Sequence, residues 1–314
     1  MRKAGLALSL LPLWVLLTGF YLLEPKIIGG EDETDPPSYL AYMLIEFENG
    51  SFQQCGASYI ADRAVMTAAH CLFNGNNELA KEVYLAFNVE DGDVSDLTLD
   101  DFLTSTRFEI FPGYDNANFG SDPTRDAAII YLKEAPADVK PIALADATLT
   151  ESLETDRSEV TAYGWGLTES GNNDSAADVL QKVSLRMDNR NSYDNDSIWD
   201  QLEEWVVFAG STDEGQDTCQ GDSGGPLVYF DGNTPILVGI TSFGPQACAL
   251  DDQPGGYARV ARISDWADDL DVGLFVLQDT VLAQRVDESS GALSPLMLLL
   301  LVPAAVAFRR RLFA

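Results

Sequence analysis

The chain has 314 residues, enough for one large or two small domains. It is 46% hydrophobic and 22% charged, an ordinary globular balance. Its 19 Lys and Arg stand against 50 Asp and Glu, and the net charge of −31 argues against nucleic acid and anionic membrane surfaces as partners. The same charge favours solubility and cationic substrates, or reflects adaptation to salty or cold surroundings.

Arg2 and Lys3 make a basic start, and residues 4–23 are almost continuously apolar, the pattern of an export signal. Gly19 is a candidate cleavage site, although no clean pair of small residues precedes it. Residues 1–20 therefore read as a removed signal peptide or a retained signal anchor. Either way, the bulk of the chain leaves the cytoplasm. Glu24-Pro25-Lys26 then leads into Ile27-Ile28-Gly29-Gly30.

From there to about Asp271, short strand-like stretches alternate with turn signals. Strands are predicted over 40–47, 83–88, 127–132, 160–165 and 236–243. Turns are marked by Glu48-Asn49-Gly50, Asp91-Gly92-Asp93 and Asp231-Gly232-Asn233. This spacing predicts an all-β barrel or sandwich. Only residues 263–270 read as a helix. Residues 272–285 are apolar with few turn signals, and either pack on the domain or form a stalk. Asp287-Glu288-Ser289-Ser290-Gly291 is polar and small. It precedes an apolar run over 292–308, near the lower limit for spanning a bilayer, and then Arg309-Arg310-Arg311. The arginines would hold that end in the cytoplasm. A C-terminal core helix is the other reading of this run.

The four cysteines, Cys55, Cys71, Cys219 and Cys248, suggest two disulfides in an oxidising compartment, with three possible pairings. They lack the close spacing of a zinc site, and no metal is assigned. The acids Glu90, Asp91 and Asp93 do not define a calcium loop.

The chemistry concentrates in Gly221-Asp222-Ser223-Gly224-Gly225-Pro226. An aliphatic hydroxyl needs a base to become a nucleophile, and the chain has one histidine, His70, in Thr67-Ala68-Ala69-His70-Cys71. Glycines around Ser223 let backbone N–H groups approach a reacting carbonyl. Asp126 precedes the apolar run Ala127-Ala128-Ile129-Ile130-Tyr131-Leu132, which places a carboxylate at the mouth of a buried strand. Asp222 is an acid in apolar, glycine-rich surroundings, where a carboxylate needs a cationic partner.

These motifs, in the chain order His, Asp, Ser, resemble the trypsin-like serine proteases from Ile27 to about Leu270. That family is the standard illustration of serine–histidine–aspartate catalysis, and the roles that follow are what the resemblance implies. It implies two six-stranded antiparallel β-barrels with a short C-terminal helix, and a protease domain over 27–271. It implies Ser223 as nucleophile, His70 as base, Asp126 as its orienting acid, and the N–H groups of Gly221 and Ser223 as the oxyanion hole. Asp217 becomes the floor of a pocket for Arg or Lys, with Gly244 and Gly255 as walls, and Ser242 and Gly244 holding the substrate backbone. Cleavage after Lys26 would remove a propeptide over 21–26 and free the Ile27 amine to pair with Asp222. The implied disulfides are Cys55–Cys71 and Cys219–Cys248.

Some positions depart from the family. Phe243 replaces the usual tryptophan. Ala247 replaces a glycine, so a slightly narrower pocket entrance is expected. Phe208 stands where many relatives have cysteine, so one familiar disulfide is missing.

The end of the chain resembles bacterial sorting tails of the GlyGly-CTERM type, with 272–291 as stalk or linker and 292–314 as the sorting or anchor segment. In such tails a rhomboid-like membrane protease acts during export to the cell surface. A plain membrane anchor is the competing reading. The expectation is a monomeric, secreted or surface-attached endopeptidase that needs no cofactor and acts on polypeptides. The alternatives are a non-catalytic binding or adhesion protein on the same scaffold, or a protease of altered primary specificity.

Overall fold

In the computed structural model, residues 27–188, 202, 204–211, 215–250, 253–270 and 276–277 are described. The signal, propeptide and tail expected over residues 1–26 and beyond 277 lie outside them. A short strand, β1 (Glu31–Asp32), precedes the first barrel. That barrel is built from β2 (Leu40–Glu46), β3 (Phe52–Ala61), β4 (Ala64–Thr67), β5 (Glu82–Phe87), β6 (Leu103–Ile110) and β7 (Ala128–Leu132). It closes in the order β2-β3-β4-β7-β6-β5. Alternation along β2 shows which face meets the core. Ala41, Met43 and Ile45 are buried, while Tyr42, Leu44 and Glu46 between them are half-buried.

The second barrel follows. After β8 (Ala143–Ala145) come β9 (Glu159–Gly164), β10 (Gln181–Met187), β11 (Val206–Gly210), β12 (Pro226–Asp231), β13 (Thr234–Phe243) and β14 (Gly255–Arg259). The ring runs β12-β9-β10-β11-β14-β13 and closes because β13 pairs back with β12. Along β10, Val183, Leu185 and Met187 face the core while Ser184 and Arg186 are exposed. The fold is therefore the all-β, two-barrel architecture expected.

Two α-helices lie wholly within the described residues. The C-terminal one, α2 (Val260–Asp269), covers the segment expected to be helical and buries Val260, Ile263, Ser264 and Ala267 at helical spacing. The other, α1 (Ala147–Asp156), corrects the expectation of a single helix. Its sequence carries only Leu149 and Leu153 as large apolar residues, too few to mark a stripe. Its N-terminus is nonetheless capped, because the Asp146 carboxylate accepts from Leu149 N at 2.8 Å. No helix among the described residues is long and apolar enough to cross a membrane.

Within the stretch read as packed segment or stalk, β15 (Val276–Leu277) pairs in parallel with β8, which itself pairs in parallel with β13. The chain after α2 thus returns to the second-barrel sheet.

Candidate active site

His70 lies in a single 3-10 turn, Ala69–Leu72, that follows β4. The turn is stapled to β3 by the Cys55–Cys71 disulfide, with Cα atoms 6.3 Å apart. Asp126, just before β7, is fully buried. Its Oδ1 accepts from the His70 backbone N at 2.8 Å, and its Oδ2 lies 2.7 Å from His70 Nδ1. A carboxylate at Nδ1 places the ring proton there and leaves Nε2 as the acceptor. Ser242 Oγ donates to the same Oδ2 at 2.5 Å. Three donors from both barrels therefore satisfy a fully buried carboxylate.

The backbone aims this acid. Arg125, immediately before it, is left-handed at φ 61°. Its guanidinium lies 4.4 Å over the Trp205 ring, a contact that ties the segment to the second barrel.

The serine loop is shaped by close approach. Gly221 and Gly224 have φ of 99° and 77°. A Cβ on Gly224 would fall 2.2 Å from Thr67 Oγ1 and 2.4 Å from Gly56 O, so only glycine fits against the first barrel. Gly56 N donates to Ser223 O at 2.8 Å, and Gly224 N to Thr241 O at 2.8 Å. These bonds hold Ser223 at the junction, half-buried, on the wall of a cavity of about 250 Å³.

Asp217, Ser242, Gly244 and Gly255 line the same cavity, as does Phe119. The Phe119 ring stacks on His70 with centroids 5.0 Å apart. Asp217 is 3% exposed, and its Oδ1 accepts from Thr218 N at 2.8 Å. Burial pushes its carboxyl up to about 6, against the opposing pull of backbone hydrogen bonds. A Cβ on Gly255 would lie 3.3 Å from that Oδ1, and a Cβ on Gly244 would meet only Gly255 Cα, at 4.0 Å. The two glycines keep the way to Asp217 open. The second disulfide, Cys219–Cys248, closes this wall with Cα atoms 5.5 Å apart.

Ala247, the position expected to narrow the entrance, is exposed, and the residues lining that side of the cavity are Pro245 and Cys248. Phe208 packs edge-on against Phe243, with centroids 6.2 Å apart, so an aromatic pair stands where the family's extra disulfide was expected to be missing. Cys55, His70 and Cys71 have side-chain donor atoms within 4.8 Å of one another, but both sulfurs are consumed by the disulfide.

Asp222 is completely buried and accepts from Gly166 N at 2.8 Å and Cys219 N at 2.7 Å. Burial pushes its carboxyl up to about 7; the two backbone donors oppose the rise and Asp217 adds to it. Ile27 is also fully buried, in the second-barrel core. Ile28 O accepts from Asp217 N at 3.1 Å, which docks the Ile27 turn beside Asp217. Lys26 lies outside the described residues.

Sequence reasoning missed two contacts here. Ser242, expected to hold the substrate backbone, spends its hydroxyl on Asp126. Phe119 carries no motif; only its place in the loop before Asp126 could have suggested it.

Two closed barrels with a serine, a histidine and buried carboxylates at their junction define the class of two-barrel serine endopeptidases. Comparison with known proteins agrees. The family described as Trypsin matches residues 27–267. The chain is 30% identical over 254 residues to trypsin-1 of Astacus astacus, covering 76% of this chain and 98% of that one. It is 31% identical over 243 residues to a trypsin of Saccharopolyspora erythraea, covering 76% and 95%. It is also 31% identical over 262 residues to trypsin-10 of Gadus morhua, covering 82% and 96%. The chain belongs to the trypsin family and is a trypsin-like serine endopeptidase acting on polypeptides.

Proposed function

We propose that this endopeptidase is exported, is held inactive until it is cut after Lys26, and hydrolyses peptide bonds that follow Arg or Lys. The observation that carries the specificity is Asp217, a buried carboxylate on the wall that also holds Ser223, with glycines leaving it accessible. A cationic side chain entering the cavity supplies the positive partner that this carboxylate lacks among the described residues.

In the proposed reaction, Ser223 Oγ attacks the scissile carbonyl carbon while His70 Nε2 takes the hydroxyl proton. Asp126 stabilises the resulting imidazolium through Nδ1–H. The carbonyl π-electrons move to oxygen, where the N–H groups of Gly221 and Ser223 receive the negative charge. The tetrahedral intermediate collapses, the C–N bond breaks, and His70 returns the proton to the leaving amine. Water then attacks the acyl-enzyme, again with His70 as base, and releases the acid and free Ser223.

Activation fits the same residues. In the uncut chain the Ile27 nitrogen is a neutral amide; cleavage makes it an ammonium beside a core that holds Ile27 and a buried Asp222. The residues around 27–271 are assigned as signal (1–20), propeptide (21–26), linker (272–291) and a sorting segment (292–314) that brings the monomer to the cell surface, where removal or membrane attachment follows. Two disulfides suit an oxidising compartment.

The test is hydrolysis of Arg, Lys, Phe and Ala peptide amides by protein beginning at Ile27, beside its Ser223→Ala variant. Cleavage confined to Arg and Lys and lost in the variant is expected. A folded protein that cleaves none of them, or prefers Phe, overturns the reading.

A further inference from the structure

Asp222 is reached from the first barrel by a line of hydrogen bonds that no motif contains. Gln54 sits in β3, one residue before Cys55. Its Nε2 donates to Trp165 O at 2.9 Å, and its Oε1 accepts from Tyr42 OH, in β2, at 3.2 Å. Trp165 is held at its other end. Its indole Nε1 donates to Gly92 O at 2.8 Å, and its ring meets Tyr42 edge-on at 5.4 Å. The next residue is Gly166, whose N–H is one of the two donors to Asp222.

This line runs past Gly221. A Cβ placed on Gly221 would lie 2.9 Å from Gly166 Cα and 3.7 Å from Gln54 Nε2. The glycine assigned to the oxyanion hole is thus bounded by the Gly166 backbone and the Gln54 amide. A primary amide suits the place because it donates to a carbonyl and accepts from a phenol at once. An ionised carboxylate lacks the donor, and an apolar chain lacks both.

We propose that Gln54 is a positioning residue for the oxyanion hole. It transmits the register of the first barrel through Trp165 and Gly166 to the loop of Asp222 and Gly221. The inference rests on the oxyanion role given to Gly221 above. Donors in such a hole work only when aimed at the developing charge, so a small displacement weakens the transition state and leaves ground-state binding intact.

The test uses protein cut to Ile27. Gln54→Met keeps length and flexibility and removes both bonds. Gln54→Glu keeps the acceptor for Tyr42 and removes the donor to Trp165. Each is expected to lower kcat for an Arg amide by about 10- to 100-fold with KM unchanged. Affinity for a peptidyl aldehyde, which forms a tetrahedral adduct, should fall by a similar factor, while a small aryl-amidinium cation keeps its affinity. If either variant folds and retains the parental kcat, or if only KM changes, the inference fails. A wrong catalytic assignment would already show in the parent and in Ser223→Ala, before any Gln54 variant is compared.

Discussion

Cutting the chain after Lys26 should stabilise it, and the gain should depend on pH. In the uncut chain, burial raises the Asp222 carboxyl from 3.8 to about 7. For an acid raised in this way, the unfolded state holds fewer protons between the two values. Stability is therefore lost as pH rises from about 4 to about 7, and the full cost is present above that. A rise of about three pH units corresponds to a cost of about 4 kcal/mol at pH 7.5, but under about 2 kcal/mol at pH 5, where the carboxyl remains protonated in the fold. An Ile27 ammonium paired with Asp222 removes the cost at both pH values. The gain on cutting should thus be about 2–3 kcal/mol larger at pH 7.5 than at pH 5, or about 5–10 °C in melting temperature for a domain of this size. The assay is thermal unfolding of the cut enzyme and of an uncut Lys26→Gln variant, both in a Ser223→Ala background. Asp222→Asn should abolish the pH dependence of the difference. An equal gain at both pH values would refute the pairing of Ile27 with Asp222.

Specificity and loop packing give two further tests. Because the Asp217 carboxyl sits at about 6, the ratio of kcat/KM for Arg over Phe substrates should fall roughly tenfold per pH unit below that value, whatever His70 does to both; a ratio that stays flat from pH 7.5 to 5 counts against Asp217 as the floor. By the same sign argument its ionised form costs stability above pH 6, so Asp217→Asn should raise the melting temperature at pH 7.5. Gly224→Ala should cost about 3 kcal/mol or more in denaturant unfolding, since φ is 77° and the new Cβ meets Thr67 and Gly56. Gly50 has the same φ with nothing within 4 Å, and Gly50→Ala should cost only about 1 kcal/mol. Equal losses would mean that backbone strain, not close packing, fixes the serine loop.

The barrels were legible because their strands alternate or run apolar between turns rich in Gly, Asn and Asp. Residues 40–46 and 236–243 announce themselves in this way. Helix α1 did not, because Thr and acidic residues fill most of Ala147–Asp156, and a cap at Asp146 compensates for the thin apolar face. Strand β15 did not, since two paired residues carry no periodicity. At the site, local patterns singled out His70, Asp126, Asp222 and Ser223, because glycines, a lone histidine and acids set in apolar surroundings are visible in one dimension, whereas Asp217 was reached only through the family resemblance. Contacts spanning large separations were not. Ser242 meets Asp126 across 116 residues, and Gln54 meets Trp165 across 111, and no local pattern announces either pairing.

The division of the site between barrels has a consequence for the cell that makes this enzyme. On the proposed roles, base and orienting acid belong to one half and the nucleophile to the other, while Ser242 joins them through Asp126. Activity is therefore a logical conjunction of two folding events. A half-formed chain has either a base with nothing to activate or a hydroxyl with nothing to take its proton. It cannot digest itself or its neighbours during synthesis, a safeguard that acts earlier than the proposed terminal cut.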